Sequence, residues 1–207
     1  MFSATRTTSV MIAGAAVIAL VTAGCGSDDD SQVTAASSTA TTLTSAPAAT
    51  RTDFDEDDVS FLQMMYPHHA QAVDMAAMVP SRSQNPELIA LAASVEQAQT
   101  PEMQQITALL TAFGKGAPSA TAGGHAGHGG MSGMMTEAQM TELQGLTGVE
   151  FDRMWMRMMI EHHEGAITMA NAELTDGVNP DAKAMAKAIV TGQQTEIDQM
   201  RTMLGQK

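Results

Sequence analysis

Residues 61–76 read FLQMMYPHHAQAVDMA, and residues 155–170 read WMRMMIEHHEGAITMA. Each carries Met-Met, a His-His pair and Met-Ala at the same spacing. Working outward, a shift of 94 residues aligns 58–110 with 152–204 without a gap, and 16 of 53 positions are identical. They include Met64/Met158, Met65/Met159, His68/His162, His69/His163, Met75/Met169, Asn85/Asn179, Pro86/Pro180, Gln99/Gln193 and Glu102/Glu196. Paired histidines in matched contexts do not arise by chance, so the chain contains a duplicated unit.

Each copy reads as a helical hairpin. Apolar residues recur at helical spacing over about 55–79, with Asp53 or Asp55 as cap and acidic residues in the first turn. Asn85-Pro86 opens the partner, an N-cap followed by proline at the first helical position, and Gly114 can end it after about residue 112. The second copy predicts helices over about 149–174 and 179–204, joined by a turn at Asp176-Gly177. Short turns make neighbouring helices antiparallel, and two hairpins bury their faces together. The expected class is all-α, a four-helix bundle over 53–207 built from two duplicated hairpins. The Gly-rich connection 114–135 is expected to be mobile, and 136–145 to form a short extra helix. Pro67 lies inside the first helix, where it removes a backbone bond to the Gln63 carbonyl and is expected to kink the chain. Glu161 holds the matched place, so the copies are not equivalent.

Composition narrows the chemistry. There are 19 methionines, aromatics are 3% of the chain, and the formal charge is −13. No clustered Lys and Arg exist to neutralise phosphates, which excludes nucleic acid as partner. Acidic chains attract cations. At 100° per residue, Phe61, Met64, Met65, Ala72, Met75 and Ala76 all fall within roughly 80° of His68, which sits at the centre of the apolar face, with His69 on its border. His162 and His163 are placed alike. Gln99 and Glu102 fall in the apolar stripe marked by Leu88, Leu91, Val95, Ile106 and Leu109, and Gln193 and Glu196 fall in that marked by Met185, Ile189, Met200 and Met203. A buried carboxylate is costly unless paired or bound to a cation.

The expected metal ligands are therefore His68, His69, His162 and His163, with Met64, Met65, Met75, Met158, Met159 and Met169 around them. Glu102 and Glu196 orient the imidazoles or bind directly. Imidazole suits copper, zinc and iron, while thioether sulfur selects Cu(I), so copper is the expected ion. The competing reading is a satisfied core, with His68 and His162 hydrogen-bonded to the buried glutamates. The loop carries a second pattern. His125, His128, Met131 and Met134 stand at every third residue, separated mainly by glycine, as in a flexible ion-capturing tract distinct from the bundle. A plain solvated linker is the alternative.

The start of the chain reads as an export signal over 1–24. Arg6 precedes the apolar run Val10–Val21, which suits a signal h-region and is short for a membrane span. It ends in Val-Thr-Ala-Gly-Cys, which resembles a bacterial lipoprotein box with Cys25 as the lipidated residue, although Thr22 stands where an aliphatic residue is commoner. Residues 25–52 then form a lipidated cysteine and a disordered tether. The expected location is the outer face of the membrane, held through the lipid alone, or secretion. As the only cysteine, Cys25 allows no internal disulfide.

The two motif stretches resemble the bacterial family catalogued as domain of unknown function 305, over about residues 53–205. The resemblance implies a ferritin-like four-helix fold in exported proteins linked to copper binding and resistance. It places Met64, Met65, His68, His69 and Met75, with Met158, Met159, His162, His163 and Met169, in the family's motif, together with Glu102 and Glu196. Three functions compete. The first is a non-enzymatic protein that sequesters or hands on copper. The second is a metal-dependent redox enzyme, which lacks the Glu-x-x-His pairs of di-iron bundles because Met65 and Met159 occupy those places. The third is a Met-rich structural or interaction module. A homo-oligomer is compatible with all three. No Gly-x-Ser-x-Gly or phosphate-cradling loop supports hydrolysis.

Overall fold

The computed structural model describes residues 50–116 and 131–206. Five helices follow in order: α1 Glu56–Arg82, α2 Pro86–Ala112, α3 Glu137–Gln144, α4 Gly148–Asp176 and α5 Pro180–Met203. The fold is all-α, with no strand among the described residues. The export signal, the tether up to residue 49, Cys25, His125 and His128 lie outside the described residues; at the end of the expected tether the Arg51 amide is bound to the Ala112 carbonyl at 2.8 Å rather than free.

The helix starts follow local chemistry. Asp55 caps α1 by accepting from the amides of Asp57 and Asp58, and Asp58 reaches back to the Asp55 amide. Asn85 and Asn179 cap α2 and α5 just ahead of Pro86 and Pro180. Helix α1 continues unbroken through both Pro67 and Pro80, running three residues beyond the sequence expectation. A proline costs a helix one amide donor, and packing of the flanking apolar face outweighs that loss here.

Helices α1 and α2 form one hairpin and α4 and α5 the other. The hairpins meet chiefly along α1 and α4, whereas α2 and α5 touch only lightly. Helices α1 and α4 run antiparallel, because Trp155 Nε1 donates to the Met75 carbonyl at 2.8 Å while the His68 and His162 rings also meet.

The core is split in two. One apolar cluster joins Met75, Val79, Leu88, Leu91 and Val95 to Phe151, Trp155, Met159, Ile197 and Met200. The other joins Phe61, Leu62, Met65, Ile106 and Leu110 to Ala166, Ala170, Met185 and Ile189. Burying each large side chain contributes roughly 1.5–3 kcal/mol, so these clusters hold the bundle together. The chain positions between them carry His68, His69, Gln99, Glu102, His162, His163, Gln193 and Glu196. The duplication thus builds a polar layer across the middle of an otherwise apolar bundle.

Candidate functional site

All four histidines of that layer have no exposed surface. His69 and His163, placed by sequence at the border of the apolar face, are covered as fully as His68 and His162, because α2 and α5 lie over them. His69 Nε2 meets Glu102 Oε2 at 2.7 Å, and His163 Nε2 meets Glu196 Oε2 at 2.7 Å. The two hairpins reproduce the same contact. The competing sequence reading paired the glutamates with His68 and His162, whereas the structure pairs them with His69 and His163. The cause is helical phase: one residue turns the outer histidine toward the partner helix of its own hairpin and leaves the inner one facing the other hairpin.

The inner pair meets across the bundle. His68 and His162 have ring centroids 3.7 Å apart, tilted by 41°. Burial pushes the His68 imidazole down to about 3, helped by its neighbour His69, and burial likewise holds His162 well below its ordinary value, with His68 adding to it. Both rings are therefore neutral at physiological pH, and a neutral imidazole offers one lone pair.

That lone pair can be located. A carboxylate accepts, so Nε2 of His69 and of His163 carries the proton. His68 Nε2 lies 3.2 Å from the Ser132 carbonyl, which likewise accepts. In these three rings the nitrogen left without a partner is then Nδ1. The Nδ1 atoms of His68, His69, His162 and His163 are all buried without a hydrogen-bond partner, and His162 Nε2 is without one as well. Buried polar atoms are normally satisfied, and each unsatisfied one costs about 1–3 kcal/mol. As placed, no three His, Cys, Asp or Glu side chains among the described residues group closely enough to clasp an ion.

The methionines divide. Met65, Met75 and Met159 are fully buried, Met158 nearly so and Met169 half-buried. Met65 packs in one apolar cluster, and Met75, Met158 and Met159 in the other. Met64 is 37% exposed. It lies one turn before His68, facing away from the core.

The end of the connecting loop, expected from sequence to move freely, is held on the bundle. Gln71 grips Met135 by its backbone: Nε2 donates to the Met135 carbonyl at 2.8 Å, and Oε1 accepts from the Met135 amide at 2.7 Å. On α4, a Cβ on Gly165 would stand 2.0 Å from the Ser132 carbonyl oxygen, so only glycine permits the approach. Gly133 meets it with φ +79°. Met131 and Met134 are half-buried there, one and two residues from the Ser132 carbonyl that reaches His68. Sequence reasoning missed this dock. Gln71 and Gly165 occupy matched places in the two copies, and a long polar residue set against a glycine on one helical face was the available signal.

A second group also escaped notice. Glu173, 2% exposed, lies beside Asp58 where α1 meets the turn into α5. Asp58 Oδ1 accepts from the amides of Val178 and Asn179. Burial raises the Asp58 carboxyl, but hydrogen bonds from the Asp55 and Asn179 amides, with Glu173 adding, hold it below its usual value. Burial and the adjacent Asp58 push Glu173 up to about 8.

The family model described as domain of unknown function (DUF305) matches residues 58–204. A solved DUF305 fragment from Deinococcus radiodurans is 34% identical, covering 73% of this chain and 97% of its own, with a TM-score of 0.65. A DUF305 protein of Streptomyces coelicolor, described as secreted, is 29% identical, covering 72% and 92%, with a TM-score of 0.65. CopM in its Cu(II)-bound form is 34% identical, covering 70% and 94%, with a TM-score of 0.62. CopM has also been solved with Cu(I) and with silver bound. Among curated proteins none matches the chain.

Proposed function

The chain belongs to the DUF305 family, and on that premise we propose that it is an extracytoplasmic copper-binding protein that sequesters or hands on the ion. The observation that carries this reading is the set of four buried imidazoles whose Nδ1 atoms have no partner. Metal-ligating histidines usually donate their other ring N–H to a carboxylate or a backbone carbonyl, which fixes the tautomer and aims the basic nitrogen. Glu102, Glu196 and the Ser132 carbonyl provide that second bond to His69, His163 and His68. The unsatisfied nitrogens are a free-energy deficit that an ion would offset.

Donor chemistry supports copper as the ion. Imidazole nitrogen next to thioether sulfur favours copper, and Cu(I) in particular. CopM, solved with Cu(II), Cu(I) and silver, supports the same choice. Zinc and iron would use the imidazoles but gain little from methionine. In this reading Met64, Met131 and Met134 are outer thioether donors beside His68, and His125 and His128 extend the same tract outward. Met65, Met75, Met158, Met159 and Met169 serve mainly as adaptable core around the site.

The location rests on the apolar start of the chain and on Cys25, with the secreted Streptomyces relative in support. No helix among the described residues is long and apolar enough to cross a membrane. Attachment through a lipid on Cys25 completes the proposal. The test is Cu(I) competition against a chromogenic chelator, with metal stoichiometry by mass spectrometry, on the chain and on His68→Ala/His162→Ala. We expect the double variant to lose an equivalent of copper or to bind it at least about tenfold more weakly. Unchanged affinity and stoichiometry would remove the reading.

A further inference from the structure

We propose that the cleft between α2 and α5 is a separate oxygen-donor site for a hard or borderline divalent cation, through which copper entering as Cu(II) reaches the buried imidazoles. Its role as a port rests on the copper reading, whereas binding of a cation there does not.

Helices α2 and α5 touch lightly, and the gap between them is lined by Ala98, Gln99, Glu102, Ala188, Gly192 and Gln193, with Ile189 and Glu196 completing it. Its volume is about 40 Å³. That holds an ion with its inner water, or a few waters, and excludes organic ligands. Small residues keep it open: Ala98 and Gly192 are matched positions of the repeat, and a Cβ on Gly192 would meet nothing within 4 Å.

Two independent features point into this space. First, Glu102 and Glu196 bring two carboxylates to it, each using one oxygen on a histidine. Second, the Gln99 and Gln193 side chains are 2% and 4% exposed, and neither amide oxygen nor nitrogen of either has a hydrogen-bond partner. Two buried amides left unsatisfied at matched positions are a larger cost than a core would keep without compensation. Spacing of i, i+3 places Gln99 with Glu102 and Gln193 with Glu196 on one face of each helix. The cleft therefore gathers two carboxylates and two amide carbonyls, all oxygen. Such a set suits Mg, Ca or Mn, accepts Cu(II), and discriminates against Cu(I) and Ag(I).

Position makes it a port. On α1, Gln71 and His69 project on opposite sides of His68, roughly 160° apart at 100° per residue, and Gly165 and His163 do the same about His162. Segment 131–135 covers the Gln71/Gly165 side. The other side leads through His69 and His163 to Glu102 and Glu196 at the cleft. An ion held by oxygens there faces nitrogen donors next, and softer ligands beyond them.

The probe is Mn(II), a hard ion with unpaired electrons, added to the full chain. We expect saturable paramagnetic broadening of the Ala98, Gln99, Gly192 and Gln193 resonances, unaffected by Ag(I). Gln99→Leu/Gln193→Leu should weaken it by at least about tenfold. Leucine fills similar volume and removes the unsatisfied amides, so this variant should melt no lower than the parent. Glu102→Gln/Glu196→Gln, which keeps shape and removes charge, should weaken it as well. His68→Ala/His162→Ala should leave it in place while losing Cu(I), which separates the two proposals. Absence of saturable broadening at these four residues, or broadening unchanged in the leucine variant, overturns the site.

Discussion

Glu173 provides a pH-dependent stability that can be worked out from the structure. It is buried beside Asp58, and its carboxyl is pushed up to about 8 by burial first and by the neighbouring carboxylate second. Space is closed around it: a Cβ on Gly177 would lie 2.5 Å from Glu173 Oε1. In the unfolded chain the group titrates near 4.5. A carboxyl whose folded value is raised contributes its stability fully below the unfolded value. That contribution is lost as pH rises through the folded value, because the native state must then ionise a group it holds as the acid. The window is therefore pH 4.5 to about 8. At ~1.4 kcal/mol per pH unit, a rise from 4.5 to about 8 corresponds to ~5 kcal/mol. That is a ceiling, because the last turn of α4 can open and let water reach the carboxylate, and ~2–3 kcal/mol is the expected loss. Glu173→Gln keeps the shape, stays neutral and can donate to Asp58. The assay is urea unfolding of the metal-free protein at pH 5, 7 and 9, wild type against variant. The buried histidines act on both proteins alike, so the difference between them isolates Glu173: wild type should lose ~2–3 kcal/mol relative to the variant across that range, leaving the variant the more stable at pH 9. A difference between wild type and variant that does not change with pH would refute the reasoning.

The buried histidines make the opposite limb. His68 titrates at about 3 and His162 well below its ordinary value, so apo stability is full above the unfolded value of about 6.5 and lost as pH falls toward 3. Ring carbon NMR should show both imidazoles neutral at pH 5, and titration of either near 6.5 in the folded protein would contradict their burial. Gly192 is exposed within α5 with open space at its Cβ position. Gly192→Ala should raise stability by ~0.5–1 kcal/mol in denaturant titration, and no gain would mean that the position needs glycine for another reason. Gly165→Ala drives a methyl into the Ser132 carbonyl at 2.0 Å, so segment 131–135 should lift off and its amides exchange faster. Hydrogen exchange at Met135 unchanged from wild type would show that the dock does not depend on that contact.

Much of the fold was legible because the chain states it twice. Asn85-Pro86 and Asn179-Pro180 mark the same helix start, and the matched Met-Met-x-x-His-His runs mark the same buried face. The boundary of α1 was less legible. The sequence reading ended it at about residue 79, yet the helix continues to Arg82, where the Ser83 amide donates to the Val79 carbonyl and Arg82 donates to the Gln144 carbonyl, a contact distant in the chain. Within the site, burial of the inner histidines was readable from helical phase, whereas the partners of the outer ones were not. Whether Glu102 meets His68 or His69 depends on how α2 leans on α1, a rotation of one residue that no periodicity within a single helix contains. The exposure of Met64 was not legible for a related reason. It lies within the apolar arc of its own helix but at 37% exposure faces a side that no other helix covers. For the dock the sequence offered only the mismatch of Gln71 with Gly165, because its contacts join residues far apart in the chain and end on backbone atoms.

The duplication also explains why the two sides of the polar layer differ. On the side facing α2 and α5 the copies kept the same residues: Gln99 with Gln193, Glu102 with Glu196, His69 with His163. Each hairpin makes the same contact within itself there, His69 to Glu102 and His163 to Glu196, so one residue type serves both. On the opposite side a single strip of chain, 131–135, covers both copies at once. A single strip cannot be matched identically by two related helices. One copy supplies Gln71, long enough to hold the strip by its Met135 amide and carbonyl, and the other supplies Gly165, small enough to let Ser132 approach. The asymmetry continues inward, since Ser132 bonds to His68 and leaves His162 with both nitrogens free. The inner pair is therefore unequal: the strip sets the tautomer of His68 and makes no hydrogen bond to His162, whose ring is held by burial and by the His68 ring 3.7 Å away. Displacing the strip would take the acceptor from His68 Nε2 and leave the surroundings of the His162 nitrogens unchanged.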